Sequence, residues 1–273
     1  MENIKIVLCD VDGTLLNSKN EITPKTKEAI KNLKNHGILF GIATGRPVAS
    51  IEGLLPDWGI EEDVDIILGF NGALVKDLSL NKEFQSDMID GKYIVEILKE
   101  YEPLDSAFGI FIDRKIYVNK IENQTLAISK RNKFELIQCD MIKEFENKKV
   151  FKMLAINEID KTNEVIDYYN NHHTSPYYKG VKTSPCLFEF MDPNVSKCHG
   201  IEKLAKAHDC TMQNICVFGD EMNDFEMIRD CYGIAMGNGN DKVKEVAKFV
   251  TLSNNEDGIA YYLNNYIFKE DNK

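Results

Sequence analysis

Short apolar runs, each closed by a polar turn and followed by a stripe of helical period, recur at both ends of this chain, and that rhythm restricts the fold more than any other feature. Ile4 to Cys9 is almost continuously apolar and β-branched, as expected of a strand buried on both faces, and it stops at Asp10. Thr23 and Pro24 then read as an N-cap and first helical residue, Ala29, Ile30 and Leu33 form the stripe, and Gly37 closes it. Ile38 to Ala43 is a second strand leading into Thr44-Gly45-Arg46-Pro47 and a helix, and Ile66 to Phe70 is a third, ending at Asn71-Gly72. After residue 195 the rhythm resumes with a helix carrying Ile201, Leu204 and Ala205, strand Ile215 to Phe218, helix Phe225 to Arg229, strand Gly233 to Met236, then helix, strand and helix. Such alternation implies a parallel sheet, so the expected fold class is α/β with a doubly wound core.

Between about residues 82 and 190 the texture changes. Aromatic strand candidates Ala107 to Ile112, Lys115 to Val118 and Phe151 to Ile156 are interleaved with helical stretches near Tyr93 to Tyr101 and Asn163 to His172. Asp113-Arg114 reads as a tight hairpin and Leu187 to Met191 as a last strand. The expected organisation is a discontinuous core, residues 1–81 and 191–273, interrupted by an α+β domain at 82–190. The polar tail Lys269 to Lys273 is expected to fray.

With 273 residues and 43% hydrophobic content, the chain can bury one large core or two modest ones. Its 44 acidic against 33 basic residues give a net charge of -11, which argues against nucleic acid as the main partner. A small anionic substrate remains open, because a metal and a few converging cations can reverse the potential within one cleft. The seven cysteines, Cys9, Cys139, Cys186, Cys198, Cys210, Cys216 and Cys231, are scattered without a C-x-x-C pair, which fits a reducing compartment. Met1 to Lys5 has no basic leader and Ile4 to Cys9 is far too short to span a bilayer, so a cytoplasmic protein with no membrane partner is expected. No pattern speaks to the oligomeric state.

Asp10 and Asp12 stand two apart at the carboxyl end of the first strand, so strand alternation would point both to one side, with Gly13 allowing the tight turn that follows. Alone, D-x-D equally describes a solvated turn. However, Thr44-Gly45 ends the second strand, and Gly219-Asp220-Glu221-Met222-Asn223-Asp224 follows the apolar run Ile215 to Phe218. Open α/β sheets bind ligands at these strand ends, and a dense Asp/Asn set suits a hard cation such as Mg²⁺. The five histidines show no ligand spacing, Gly237-Asn238-Gly239 reads as a turn, and Cys9 as a buried thiol.

In this order, Asp10-Val11-Asp12-Gly13-Thr14-Leu15, Thr44-Gly45-Arg46, Lys197, and Gly219-Asp220 with Asn223-Asp224 resemble the four motifs of the haloacid dehalogenase superfamily. Asn71-Gly72-Ala73, the insertion of about a hundred residues after the third strand, and Ala235-Met236-Gly237-Asn238 look like its Cof subfamily with a C2-type cap. The resemblance implies a Mg²⁺-dependent phosphatase in which Asp10 is the nucleophile and Asp12 the acid and base. It further implies that Asp10, the Asp12 carbonyl and Asp220 hold the metal, with Asp224 doing so directly or through water. Gly13, Thr44, Gly45, Lys197 and Asn223 would bind the phosphoryl group, and the inserted domain would close over the site and select the substrate.

Lys197 lies in Asn194-Val195-Ser196-Lys197-Cys198-His199-Gly200, where Cys198 replaces the glycine usual in the family's Gly-Val-x-Lys-Gly, and Lys203 is its rival. Arg46 is left between touching substrate and capping a helix. The substrate class implied is small phosphorylated metabolites, sugar phosphates above all. Two alternatives stay open: a phosphomutase using the same aspartyl-phosphate step, and a non-catalytic regulator that binds a sugar phosphate.

Overall fold

The computed structural model describes residues 3–86 and 88–269; residues 1, 2, 87 and 270–273, and with them all of the polar tail after Lys269, lie outside the described residues. The chain begins with β1 (Ile6–Cys9), α1 (Pro24–Asn35), β2 (Leu39–Ala43), α2 (Val48–Trp58), β3 (Ile66–Gly69), β4 (Leu74–Asp77) and β5 (Lys82–Gln85). Next come β6 (Ile89–Asp90), α3 (Gly91–Glu100), β7 (Phe108–Ile112), β8 (Lys115–Val118), α4 (Asn123–Asn132), β9 (Glu135–Gln138), α5 (Met141–Phe145), β10 (Lys149–Val150), β11 (Lys152–Ile156), α6 (Ile159–His172), β12 (Lys179–Ser184) and β13 (Leu187–Met191). It closes with α7 (Lys197–Ala207), β14 (Ile215–Gly219), α8 (Phe225–Asp230), β15 (Tyr232–Ala235), α9 (Asp241–Val246), β16 (Phe249–Val250) and α10 (Gly258–Tyr262). Two compact units result: Met1–Val48, Leu54–Gln85 and Ser196–Lys273 form one, Ala49–Gly53 and Ser86–Val195 the other.

The first unit is built on an eight-stranded sheet of order β16-β15-β14-β1-β2-β3-β4-β5. β1 is fully buried and sits between β14 and β2, with Cys9 level with both Phe218 and Ile42. The polar residues that follow these strands therefore emerge along one edge of the sheet. From β1 the chain winds outward through β2 and β3 on one side, and from β14 through β15 and β16 on the other, so the direction of winding switches beside β1. Ile6 and Leu8 pack with Ile66, Leu68, Ile215 and Val217 on one face. Each such side chain contributes roughly 1.5–3 kcal/mol by leaving water. At the start of α1 the Thr23 hydroxyl accepts the Thr26 amide at 3.2 Å, and Gly37 takes the left-handed φ of 66° just past the helix end.

The sheet departs from a wholly parallel one at its edge, where β4 runs antiparallel to β3 and β5 antiparallel to β4. A turn through Asn71-Gly72 is too short to return the chain parallel, so the next strand must reverse. β5, which a division at 81/82 would assign to the inserted domain, is paired in the core sheet through Gln85.

The second unit carries a six-stranded sheet of order β12-β13-β11-β7-β8-β9, antiparallel except for β8 with β9. Met153, Ala155, Phe188 and Phe190 face Ile94 and Ile97 of α3 and Val165 of α6. Alternation places Lys152 and Glu189 away from that cluster, where they form an ion pair of 2.6 Å with side chains only 3% and 5% exposed. The β7–β8 hairpin turns at Asp113, with φ of 53°. Six elements here, β6, α4, β9, α5, β10 and β12, have no counterpart in the sequence reading, since they are two residues long or carry mixed polar composition instead of a clean apolar stripe.

Candidate active site

Asp10 is the first residue past β1, and its amide continues the ladder by donating to the Phe218 carbonyl at 3.0 Å. The turn that follows folds back on itself: Leu15 N–H donates to the Asp10 carbonyl at 3.1 Å and Leu16 N–H to the Val11 carbonyl at 3.0 Å. Gly13 makes this turn with φ of 88°, and a Cβ there would collide with the Asp220 carboxylate. Asp220 follows β14, and its Oδ1 accepts the Thr14 hydroxyl at 2.7 Å. Asp224 ends the short turn Met222–Asp224, where its Oδ2 accepts the amides of Asp220 at 3.0 Å and Glu221 at 3.2 Å.

Lys197 opens α7, whose N-terminus is capped by the Ser196 hydroxyl accepting from the His199 amide at 3.2 Å. Gly72, at φ of 91°, lets the loop after β3 approach the Ser196 carbonyl more closely than any side chain would permit. The Lys197 ammonium is fully buried and lies 2.5 Å from both Asp10 Oδ1 and Asp224 Oδ1. The carboxylates of Asp10, Asp220 and Asp224, all buried, each offer an oxygen within 4.8 Å of the others. Three carboxylates against one ammonium leave an excess of two negative charges in this cluster.

That imbalance shows in the acid strengths. Burial raises the Asp10 pKa well above the carboxylate range; Lys197 pulls it down, while Asp224 and Asp220 push it up. Asp220 is raised to about 7, mainly by burial, with the Thr14 hydrogen bond opposing and Asp224 adding to the rise. Burial alone would lower the Lys197 pKa, but Asp10 and Asp224 more than reverse this and keep it charged.

Asp12 lies apart from the cluster. β1 ends at Cys9, so strand alternation no longer governs residues 10 to 12 and the expectation that both acids share a side does not carry over. Asp12 Oδ1 and Oδ2 instead accept a two-pronged contact from Arg46 Nη2 at 2.7 Å and Nε at 3.1 Å, with the Asp12 side chain 44% exposed. The sequence reading missed this pair; the available signal was that β1 and β2 are neighbours and that opposite charges follow both strands. Thr44 is buried after β2, its amide donating to the Leu68 carbonyl at 2.8 Å and its hydroxyl accepting the Arg46 amide at 3.2 Å. Gly45 passes so close to Asn71 that a Cβ would lie 3.1 Å from its Oδ1. Asn223 is half-buried in the turn that ends at Asp224. Lys203 donates to the Gln85 carbonyl at 2.8 Å, so the lysine in the acid cluster is Lys197. Cys9 is fully buried, and burial pushes its thiol pKa well up, so it stays protonated.

A sheet of this order, with buried acids and a lysine gathered where its winding switches, is a doubly wound α/β core with an oxygen-rich cluster at its ligand-binding edge. The chain belongs to the haloacid dehalogenase-like hydrolase family, whose profile matches residues 7–263. It is 30% identical over 279 residues, 97% of this chain and 99% of the other, to M6_Spy0533, a provisionally named phosphatase of Streptococcus pyogenes serotype M6. It is 29% identical over 276 residues to 5-amino-6-(5-phospho-D-ribitylamino)uracil phosphatase YitU of Bacillus subtilis, covering 96% of this chain and 97% of the relative. Among solved structures, the HAD subclass IIB sugar phosphatase BT4131 superposes with a TM-score of 0.81 at 23% identity, over 96% of this chain and 98% of the other. The chain is accordingly a phosphoric monoester hydrolase of this family. Among the described residues no helix is long and apolar enough to cross a membrane.

Proposed function

We propose that this chain is a Mg²⁺-dependent phosphatase that hydrolyses small phosphorylated metabolites through an aspartyl-phosphate on Asp10. The observation that carries the reading is the Asp10 carboxylate, held at 2.5 Å by a buried ammonium among further acids. The donor set fits Mg²⁺: all its ligand atoms are oxygens, and a divalent cation balances the two excess negative charges. Asp10, Asp220, the Asp12 carbonyl and Asp224, the last directly or through water, would hold it. Once bound, the ion would draw charge from the phosphoryl oxygens and keep Asp10 ionised.

Asp10 attacks phosphorus as the ester P–O bond breaks, and Asp12 gives its proton to the departing oxygen. Asp12 then takes a proton from water, the water oxygen bonds to phosphorus, and the Asp10–phosphorus bond breaks to release inorganic phosphate. Arg46 orients the Asp12 carboxylate between these two tasks. Lys197 neutralises charge gathering on Asp10 and the phosphoryl group, while Thr44, Gly45, Gly13 and Asn223 hold the phosphoryl oxygens.

For the substrate, both YitU and BT4131 are named for phosphate carried on a polyhydroxylated carbon chain, which favours sugar or polyol phosphates here. The inserted domain, expected at 82–190, would supply that selectivity. Seven free cysteines are consistent with a cytoplasmic location.

Purified protein assayed with p-nitrophenyl phosphate and a sugar-phosphate panel should release inorganic phosphate with Mg²⁺ and not with chelator. Asp10→Asn should abolish turnover while keeping the wild-type Tm. Transfer of phosphate to a second hydroxyl without release would favour a mutase, and Asp10→Asn with wild-type turnover would remove the nucleophile assignment.

A further inference from the structure

The turn Met236-Gly237-Asn238-Gly239-Asn240, between β15 and α9, has no role in the reaction as described so far. Its backbone is tied to the loop that carries Asp220: Met236 N–H donates to the Gly219 carbonyl at 3.0 Å and Asn240 N–H to the Asp220 carbonyl at 2.8 Å. Gly239 makes this possible, since a Cβ there would lie 3.0 Å from the Asp220 carbonyl oxygen. The Asn238 side chain points the other way, donating from Nδ2 to the Gly13 carbonyl at 2.8 Å and accepting the Asn254 amide on Oδ1 at 2.9 Å. Asn254 in turn donates from its own Nδ2 to the Leu16 carbonyl at 2.8 Å. The orientation of the Asn238 amide follows from its partners, because a carbonyl only accepts and a backbone amide only donates.

We propose that Asn238, backed by Asn254, is a positioning residue that sets the turn bearing Asp12 against the loop bearing Asp220. Its two bonds and the Asn254 bond fix Gly13, the residue directly after Asp12, and Leu16, which bridges back to Asp12 across the turn. Asp10 is clamped independently by Lys197. Loss of the brace should therefore misplace the proton donor more than the nucleophile. Asn238 is exposed, so packing is not what holds it there.

This inference rests on Asp10 as nucleophile and Asp12 as acid, and the test separates the two layers. Asn238→Ala, Asn238→Asp and Asp12→Asn are compared on phenyl phosphate and p-nitrophenyl phosphate, which are alike in size but differ in how much the leaving oxygen needs a proton. Asn238→Ala should lose about tenfold in kcat/KM on phenyl phosphate and only about twofold on p-nitrophenyl phosphate, at unchanged Tm. Asn238→Asp keeps the size and the acceptor but cannot donate to Gly13, and should behave likewise. Adding Asn254→Ala should cost little more, as expected of one chain of bonds. Equal losses on both substrates, or none, overturn the brace when Asp12→Asn itself shows the leaving-group dependence. If Asp12→Asn shows none, the acid assignment fails and the brace with it.

Discussion

Replacing Lys197 with Met removes a charge while keeping most of the volume, and the consequences follow from where the ammonium lies. Its side chain is fully buried, with Asp10 and Asp224, themselves 9% and 0% exposed, each at 2.5 Å. Deleting one partner of a buried ion pair costs about 3–5 kcal/mol, and the two contacts share a single ammonium, so the cost should not double. For a chain of this size, about 2–4 °C per kcal/mol translates this into a Tm lower by roughly 6–20 °C at pH 7.5 with chelator present. Mg²⁺ should return part of that loss, because it offsets the same negative charge, and so should pH 5.5, because the released acids can take up protons. Turnover should behave differently: kcat on p-nitrophenyl phosphate should fall by about 10²–10³ and stay low in saturating Mg²⁺, since the missing charge acts on the transition state. Lys203→Met is the matched control, a lysine six residues on in the same helix that donates to the Gln85 carbonyl and stands outside the acid cluster; it should change stability by less than about 1 kcal/mol. Thermal melts with and without metal at both pH values, together with steady-state rates, decide the matter. Wild-type Tm and kcat in Lys197→Met, or equal damage in Lys203→Met, would refute the argument.

The acid cluster also predicts how metal and pH interact. Asp220 is raised from 3.8 to about 7 by burial, so between about pH 4 and 7 the metal-free folded state holds a proton that the unfolded chain has released. The contribution of Asp220 to the stability of the chelated protein is then fully present below about pH 4 and is lost as pH rises toward 7. Mg²⁺ should raise Tm more at pH 7.5 than at pH 5, and an increment independent of pH would count against the site. Gly13→Ala should weaken Mg²⁺ binding at least about tenfold, because the new methyl meets the Asp220 carboxylate at a φ of 88°. Gly37→Ala, also at positive φ but with open space around it, should cost about 1 kcal/mol and leave Mg²⁺ titrations unchanged.

What could be read from the sequence was what local periodicity encodes. β1, β2 and β3 are short, apolar and bounded by turns, and Thr23-Pro24 marks the start of α1 as an N-cap and first residue should. The antiparallel edge made by β4 and β5 was harder to see: β4 alternates buried and half-buried positions, while β5 has almost no buried side chain and is held by main-chain pairing. In the second unit, β11 and β13 were read as strands although each carries one member of the buried Lys152–Glu189 pair, because their remaining positions are apolar. β12 and β9 were not, because an edge strand with exposed polar residues resembles a loop until its partner is known.

The site divides along the same line. Asp10, Asp220 and Asp224 were legible because each follows an apolar strand or the turn just after it, and the parallel register of β1 and β14 brings residues 210 positions apart to one edge. Lys197 was legible as the first residue of a helix, although only the fold shows that the helix starts beside those acids. The cation that faces Asp12 was missed, because its signal is divided between two strands that become neighbours only in the fold. Two carboxylates spaced two apart look interchangeable in sequence, and the structure gives them different cations in different surroundings: a buried ammonium for Asp10, and for Asp12 a planar guanidinium in a position still reached by water. A buried ammonium attracts strongly and holds Asp10 in place, whereas a two-pronged contact at a half-open site fixes the direction of the Asp12 carboxylate while screening weakens its hold. Asp12 can therefore give or take a proton only as Arg46 releases one of its oxygens, which the half-open position allows, while the buried ammonium keeps the nucleophile in place.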